Sequence, residues 1–350
     1  MAVDDLLIER LLRVIDEGRR TATYKLALLL GLIDAVAISP GESEIPTRLI
    51  AERVLVLYYP QTRAYVDTRG GARTPRQISM KSSAALTAVE GLRTLAQACH
   101  CRNIDDAHAA LPVDYQRTLD AVEETFVRYP IPLMQVVGAR VVPFLYVVDW
   151  QEGTSLRPLR RTAADRVRLL DGVADRLVVL GPMLRPLIEL HWTRDVARWT
   201  GLSMEDEALR THLFGSARMS FPRPLVADLR DMQDGRCFYC GDQLGARQEV
   251  DHFLAWSRWP NDAIENLVIA DTCNGAKSDH LAATEHLVRW RLRIATHLDD
   301  LATVAHNRHW TTSPDRTRAL VQSTYSHVPA GTPLWLAGRR FEIATGPLLA

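Results

Sequence analysis

The stretch VDHFLAWSRWPNDAIENLVIADTCNGAKSDHL, residues 250–281, constrains this 350-residue chain more than any other. It holds an Asp-His pair, two well-placed asparagines among its three, and one isolated cysteine. Asp251-His252 comes first, Asn266 lies 14 positions after the histidine, and Asn274 lies eight further on, directly after Cys273. The approach QEVDHFLAW is short and bounded by apolar residues, as a strand would be, and NGAKSDHL reads as a helix start. The order predicts a hairpin carrying Asp-His, a loop pinned by Asn266, and a helix that brings Asn274 back to face them.

These residue types suit metal-assisted phosphodiester hydrolysis. The Asp251 carboxylate and the Asn274 amide oxygen are hard ligands for a divalent ion and leave positions for water and phosphate. A neutral His252 imidazole beside the ion can take a proton from the attacking water. Asn266 can both donate and accept, which suits it to tying the loop across to the histidine strand.

VDHFLAWSRWPNDAIENLVIADTCNGAKSD resembles the HNH nuclease motif, over roughly residues 234–290. The resemblance rests on Asp-His, the mid-loop ENL and the CN-x-x-KSD helix start, in order and at fitting distances. It implies a ββα-metal fold with His252 as general base, Asp251 and Asn274 as ligands of a catalytic ion (Mg²⁺, or Mn²⁺ or Ni²⁺), and Asn266 orienting the histidine or bracing the loop. Lys277 and Ser278 match a helix start of the family that suits phosphate contact or capping; Arg289 and Arg293, on the helix that follows, are further phosphate candidates. Many HNH domains also hold a structural zinc on two Cys-x-x-Cys pairs. Cys237 and Cys240 supply one pair, but the position three before Cys273 is Ala270, so three thiolates remain where zinc takes four ligands. His280 and Asp271 are the candidates for the fourth.

The rest of the chain reads as ordinary globular protein. Helical periodicity marks 4–17, 22–38, 44–59, 83–98, 114–128 and 162–199, the last with a break at Gly181-Pro182, and again 282–301. VVPFLYVVDW (141–150) and PLWLAGRRFEI (333–343) read as strands. Cys99-His100-Cys101 is spaced too tightly for zinc chelation and reads as a helix end with buried thiols. Trp256 and Trp259 read as loop packing. The expected fold class is α+β, predominantly α-helical: a helical domain at 1–205 for recognition, sensing or dimerisation, a nuclease module at 206–290, and a packing segment at 291–350.

Composition narrows the partners. Lys+Arg and Asp+Glu are both 42, so a site for a polyanion must be a local patch. Five cysteines, an odd number, argue against a disulfide framework, and the amphipathic start does not read as a secretory signal, so the expected compartment is the cytoplasm. The apolar run 26–38 is too short to span a bilayer and contains Asp34. The expected function is a metal-dependent HNH endonuclease acting on DNA, with restriction or anti-phage defence suggested by family analogy and a homodimer as the way to cut both strands. The competing readings are an inactive, zinc-stabilised nucleic-acid-binding regulator and a nuclease of a mobile element.

Overall fold

The computed structural model describes residues 3–16, 20–67, 70–79, 83–137, 140–203, 207–215 and 220–349. The chain is α+β and predominantly helical, and it divides into two compact units, Met1–Gly215 and Ser216–Ala350. The 205/206 boundary expected from the sequence lies outside the described residues. Residues 291–350 share the second unit with the Asp-His hairpin.

The first unit runs α1 (Val3–Ile15), α2 (Tyr24–Ala37), β1 (Glu44–Pro46), α3 (Thr47–Gln61), β2 (Tyr65–Val66), β3 (Ala72–Arg73), α4 (Ala84–Ala98), α5 (Ile104–Ala110), α6 (Pro112–Arg128), α7 (Pro130–Leu133), β4 (Val136–Val137), β5 (Arg140–Val141), β6 (Tyr146–Val147), α8 (Leu156–Arg161), β7 (Arg166–Leu169), α9 (Val173–Thr200) and α10 (Glu207–Phe214). Its centre is α2, which is apolar all round and buried from Leu26 to Ile33, packed on α3 and α9. Gly31 permits this approach, since a Cβ there would lie 2.8 Å from Val54 Cγ2. Among the described residues no helix is long and apolar enough to cross a membrane.

Several local expectations change. Residues 44–46 form a strand paired with β7, and α3 starts only after Pro46, whose backbone is extended (ψ 136°). The run 141–150 is not one strand: Pro143 offers no N–H, and the Gln135 Oε1 instead accepts from Phe144 N (2.8 Å) and Leu145 N (2.7 Å). Within 162–199 the chain first forms β7, and α9 then continues through both Pro182 and Pro186. A helix-interior proline costs about 3 kcal/mol. The buried inner face of Leu177, Leu184, Ile188, Trp192 and Val196 outweighs that at about 1.5–3 kcal/mol per side chain. Cys99 does cap a helix, α4, but its thiol is exposed.

The second unit runs α11 (Arg223–Asp231), β8 (Glu249–His252), a 3₁₀ turn (Ile264–Asn266), β9 (Leu267–Ala270), α12 (Thr272–Lys277), α13 (Thr284–Thr296), α14 (Leu298–Arg308), α15 (Pro314–Ser326), β10 (Pro333–Ala337) and β11 (Arg340–Ile343). Strands β8 and β9 pair antiparallel, with Asp251 opposite Val268 and His252 opposite Leu267. All of β9 is buried. The helical pattern of 282–301 splits at His297, and 333–343 is a hairpin turned at Gly338. An aromatic core supports the β8–β9 hairpin: Phe253 stacks on Trp290 at 5.3 Å, and Tyr239 meets Trp335 edge-on at 5.3 Å.

Candidate active site and metal centre

The Cys-x-x-Cys turn follows α11 and is closed by Gly241 N–H to the Cys237 carbonyl (3.0 Å), with Gly241 at φ +77°. It is tied to β9 by Phe238 N–H to the Ile269 carbonyl (2.9 Å). The Gln233 amide extends the sheet as a backbone would, donating to the Ile269 carbonyl and accepting from Ile269 N–H, both at 2.8 Å. This places Cys237 and Cys240 against the start of α12. One ligand atom from each of Cys237, Cys240, Asp271 and Cys273 lies within 4.8 Å of all the others. Three thiols and a carboxylate form a four-donor set of the kind structural zinc takes. Asp271 therefore stands where the fourth cysteine is missing. It is the N-cap of α12 and accepts from Cys273 N–H at 3.0 Å. His280 is elsewhere, edge-on to Phe341.

The protonation of this group follows from its burial and crowding. Burial, and then the neighbouring Cys237, push the Cys273 thiol well above its ordinary range. Burial likewise raises Cys240. The Asp271 carboxyl is lowered, first by the Cys273 N–H. Crowded thiols hold their protons when no positive charge is near, and a divalent cation reverses that preference.

On β8 the side chains alternate, so Glu249 and Asp251 share one face. Helix α12 lies along that face, and Asn274 and Lys277, three residues apart on one side of the helix, meet them in register. The Asn274 Nδ2 donates to Glu249 Oε2 at 2.6 Å, and the Lys277 Nζ lies 2.9 Å from Asp251 Oδ2. The Tyr239 hydroxyl donates to the same Asp251 oxygen at 2.5 Å. Burial, followed by the Asp251 charge, pushes the Tyr239 phenol up, so it stays a donor. His252 contacts different elements. Its Nε2 lies 2.8 Å from Asp262 Oδ1, and its ring lies 5.9 Å from Phe221 and 5.6 Å from Trp256.

Asn266 is fully buried, and both ends of its amide bond main chain. Oδ1 accepts from Leu254 N–H (2.9 Å), while Nδ2 donates to the carbonyls of Leu254 (3.1 Å) and Asn261 (3.0 Å). Of the two roles considered for it, this is the bracing one.

Two of the phosphate candidates, Lys277 and Arg293, are corrected by their burial. Lys277 is completely buried between Asp251 and the His252 carbonyl, which it meets at 2.9 Å. Arg293 is buried against the Glu265 carbonyl, and desolvation lowers its guanidinium to about 10. Arg289 donates to the carbonyls of Phe238 and Tyr239 and so holds the Cys-x-x-Cys turn. Lys277 and Arg293 are closed off from solvent, whereas Arg289 stays exposed with only its Nη1 engaged. Ser278 remains exposed at the end of α12. Trp259 packs in the loop, as expected, with its indole N–H on Thr324.

Sequence reading missed Glu249, Tyr239 and Asp262. The strand period of two, counted back from Asp251, was a signal for Glu249. Tyr239, inside CFYC, and Asp262, ten positions beyond His252, carried none.

No curated protein and no solved structure matches the chain. Two families do. Residues 5–213, more than half of the chain, match a domain of unknown function (DUF8808), and residues 237–283 match HNH endonuclease. The second match spans the Cys-x-x-Cys turn, the β8–β9 hairpin and α12, the elements that assemble the four-donor cluster and the Asp-His pair. The chain thus belongs to the DUF8808 family, and its second unit carries a nuclease module of the HNH endonuclease family.

Proposed function

We propose that this protein is a divalent-metal-dependent endonuclease that hydrolyses DNA phosphodiester bonds, with His252 as general base. One observation carries the reading. Asp251, His252 and Asn274 are each held through one polar atom, and the other (Asp251 Oδ1, His252 Nδ1, Asn274 Oδ1) has no hydrogen-bond partner among the described residues. Two of these are hard oxygen donors and the third is a base nitrogen. The donor chemistry fits Mg²⁺, Mn²⁺ or Ni²⁺, with Asp251 and Asn274 as its ligands. When bound, such an ion neutralises charge developing on phosphate and leaving oxygen. His252 Nδ1 takes the proton of the attacking water. Asn266 keeps the strand end and loop in place around it, and Lys277 and Tyr239 fix the angle of the Asp251 carboxylate. Cys237, Cys240, Asp271 and Cys273 hold a structural zinc.

The DUF8808 unit serves target recognition, sensing or dimerisation, and two copies would supply the two sites a double-strand break requires. A cytoplasmic setting fits five free thiols. The role in restriction or anti-phage defence rests on family analogy. One observation favours the alternative of an inactive binding module: the buried Lys277 ammonium already neutralises Asp251.

Cleavage of supercoiled plasmid separates the two. Wild type and His252→Ala are compared in Mg²⁺, Mn²⁺, Ni²⁺ and EDTA, on modified and unmodified DNA. Metal-dependent nicking or linearisation that the variant loses is the expected result. DNA binding without cleavage in any metal would overturn the enzyme reading.

A further inference from the structure

The geometry points to Asp262 as the residue that positions His252, and to the segment from Trp310 to Thr317, beyond the matched HNH region, as the support that holds Asp262 there. The inference rests on the nuclease reading for its consequence in catalysis, but the arrangement can be tested without it.

An ionised carboxylate only accepts hydrogen bonds, so a neutral imidazole facing one must carry its proton on the nitrogen that faces it. The Asp262 Oδ1 lies 2.8 Å from His252 Nε2. The proton is therefore on Nε2, and the lone pair able to receive a proton is on Nδ1. The ring cannot easily turn to exchange the two nitrogens: His252 is 7% exposed, with Phe221 and Trp256 beside it. A base whose tautomer is chosen before substrate arrives wastes none of its population in the wrong form.

Asp262 sits on the loop between β8 and the 3₁₀ turn, and a loop carboxylate needs an anchor to serve this way. The anchor comes from α15 and the residues before it. The Trp310 indole N–H donates to the carbonyl of Asp262 itself at 2.7 Å. On the preceding residue, Asn261, Nδ2 donates to Thr317 Oγ1 (3.0 Å) and Oδ1 accepts from Arg316 (3.2 Å). Arg316 also reaches the Pro260 carbonyl at 3.2 Å. On the far side, Ile264 N–H donates to the Thr311 carbonyl at 2.9 Å. Asn266, bonded to the Asn261 carbonyl, closes the loop from within. Phe221, beside the His252 ring, also packs on Trp310 at 5.6 Å. The backbone of Asp262 is thus fixed from both sides by residues remote in sequence.

The test has two readouts on the full-length protein. Nitrogen NMR of imidazole-labelled chain, with the His252 signals identified by their loss in His252→Gln, reports the tautomer directly. The expected result is a single Nε2–H form in wild type and a mixture of forms in Asp262→Ala. Steady-state cleavage should show kcat lowered about 10–100-fold in Asp262→Ala, KM within about 2-fold, and partial recovery in Asp262→Glu, which restores an acceptor. Trp310→Phe keeps the ring and removes only the N–H that holds Asp262. It should shift tautomer and kcat in the same direction but less, and it decides the matter if Asp262→Ala fails to fold. A wild-type ring with its proton on Nδ1, or a tautomer and kcat unchanged in Asp262→Ala, overturns the assignment. If wild type cleaves nothing, the nuclease reading fails, and the NMR comparison alone still decides whether Asp262 sets the ring.

Discussion

The two units bury charge in different ways. In the first, carboxylates are matched to arginines. Asp195 pairs with Arg20 at 2.7 Å, Asp34 pairs with Arg185, and the fully buried Glu123 takes Thr47 (2.6 Å), Arg48 (3.1 Å) and Arg160 (2.5 Å). These links join residues far apart in sequence, and Asp195 and Glu123 each receive donors on both oxygens. In the second unit, Asp251, His252 and Asn274 are each held at one end only. A carboxylate bonded on both oxygens serves the architecture, whereas a lone pair left open beside other donors is available to a ligand. The HNH match falls where the second pattern is found.

The contrast can be broken by removing one member from each side. His252→Ala should lower cleavage by at least about 10²-fold, with a stability change of about 1 kcal/mol, read by plasmid nicking and thermal melting. A variant that cleaves like wild type would remove His252 from the mechanism. Glu123→Ala should do the reverse. Both arginines stay part-exposed and paired with Asp120, so the loss of the buried carboxylate and of its bond from Thr47 should destabilise the first unit by about 1–3 kcal/mol in a denaturant melt, with cleavage per folded molecule unchanged; loss of cleavage at full folding would mean that the first unit acts on the chemistry.

The metal centre gives an intermediate effect. Cys240→Ser should take zinc from about one to well below one per chain by elemental analysis, and lower the melting temperature of the second unit by several degrees. An unchanged melt and no zinc in wild type would refute the four-donor centre. The smallest effect belongs to Arg289→Ala. Losing its two carbonyl contacts should cost about 1–2 kcal/mol, while the salt dependence of DNA binding stays as in wild type. A slope reduced by about one would instead return Arg289 to the phosphate contacts.

The second unit was more legible in sequence than the first. The spacing of Asp251, His252, Asn266 and Asn274 foretold a hairpin, a pinned loop and a returning helix, because strand and helix periods are local and allow few arrangements of such a short stretch. The Cys-x-x-Cys turn was visible for the same reason. In the first unit the apolar run of α2 announced a buried helix, but the prolines of α9 suggested a break that packing overrides. Lys277 and Arg293 were misread because a basic side chain looks the same in sequence whether it meets water or a buried oxygen.

The sequence by itself determined the helical bias, the β8–β9 hairpin and the set of candidate site residues. Only the tertiary structure decided which atom of each residue is engaged. It brought Asp271 to three thiols, set Lys277 and Tyr239 on one oxygen of Asp251, and turned Asp262 to face His252 from a loop secured by Trp310 and Thr317. Residue order and period are properties of a segment. The partner of a lone pair depends on which distant segments pack beside it, and no local pattern carries that information.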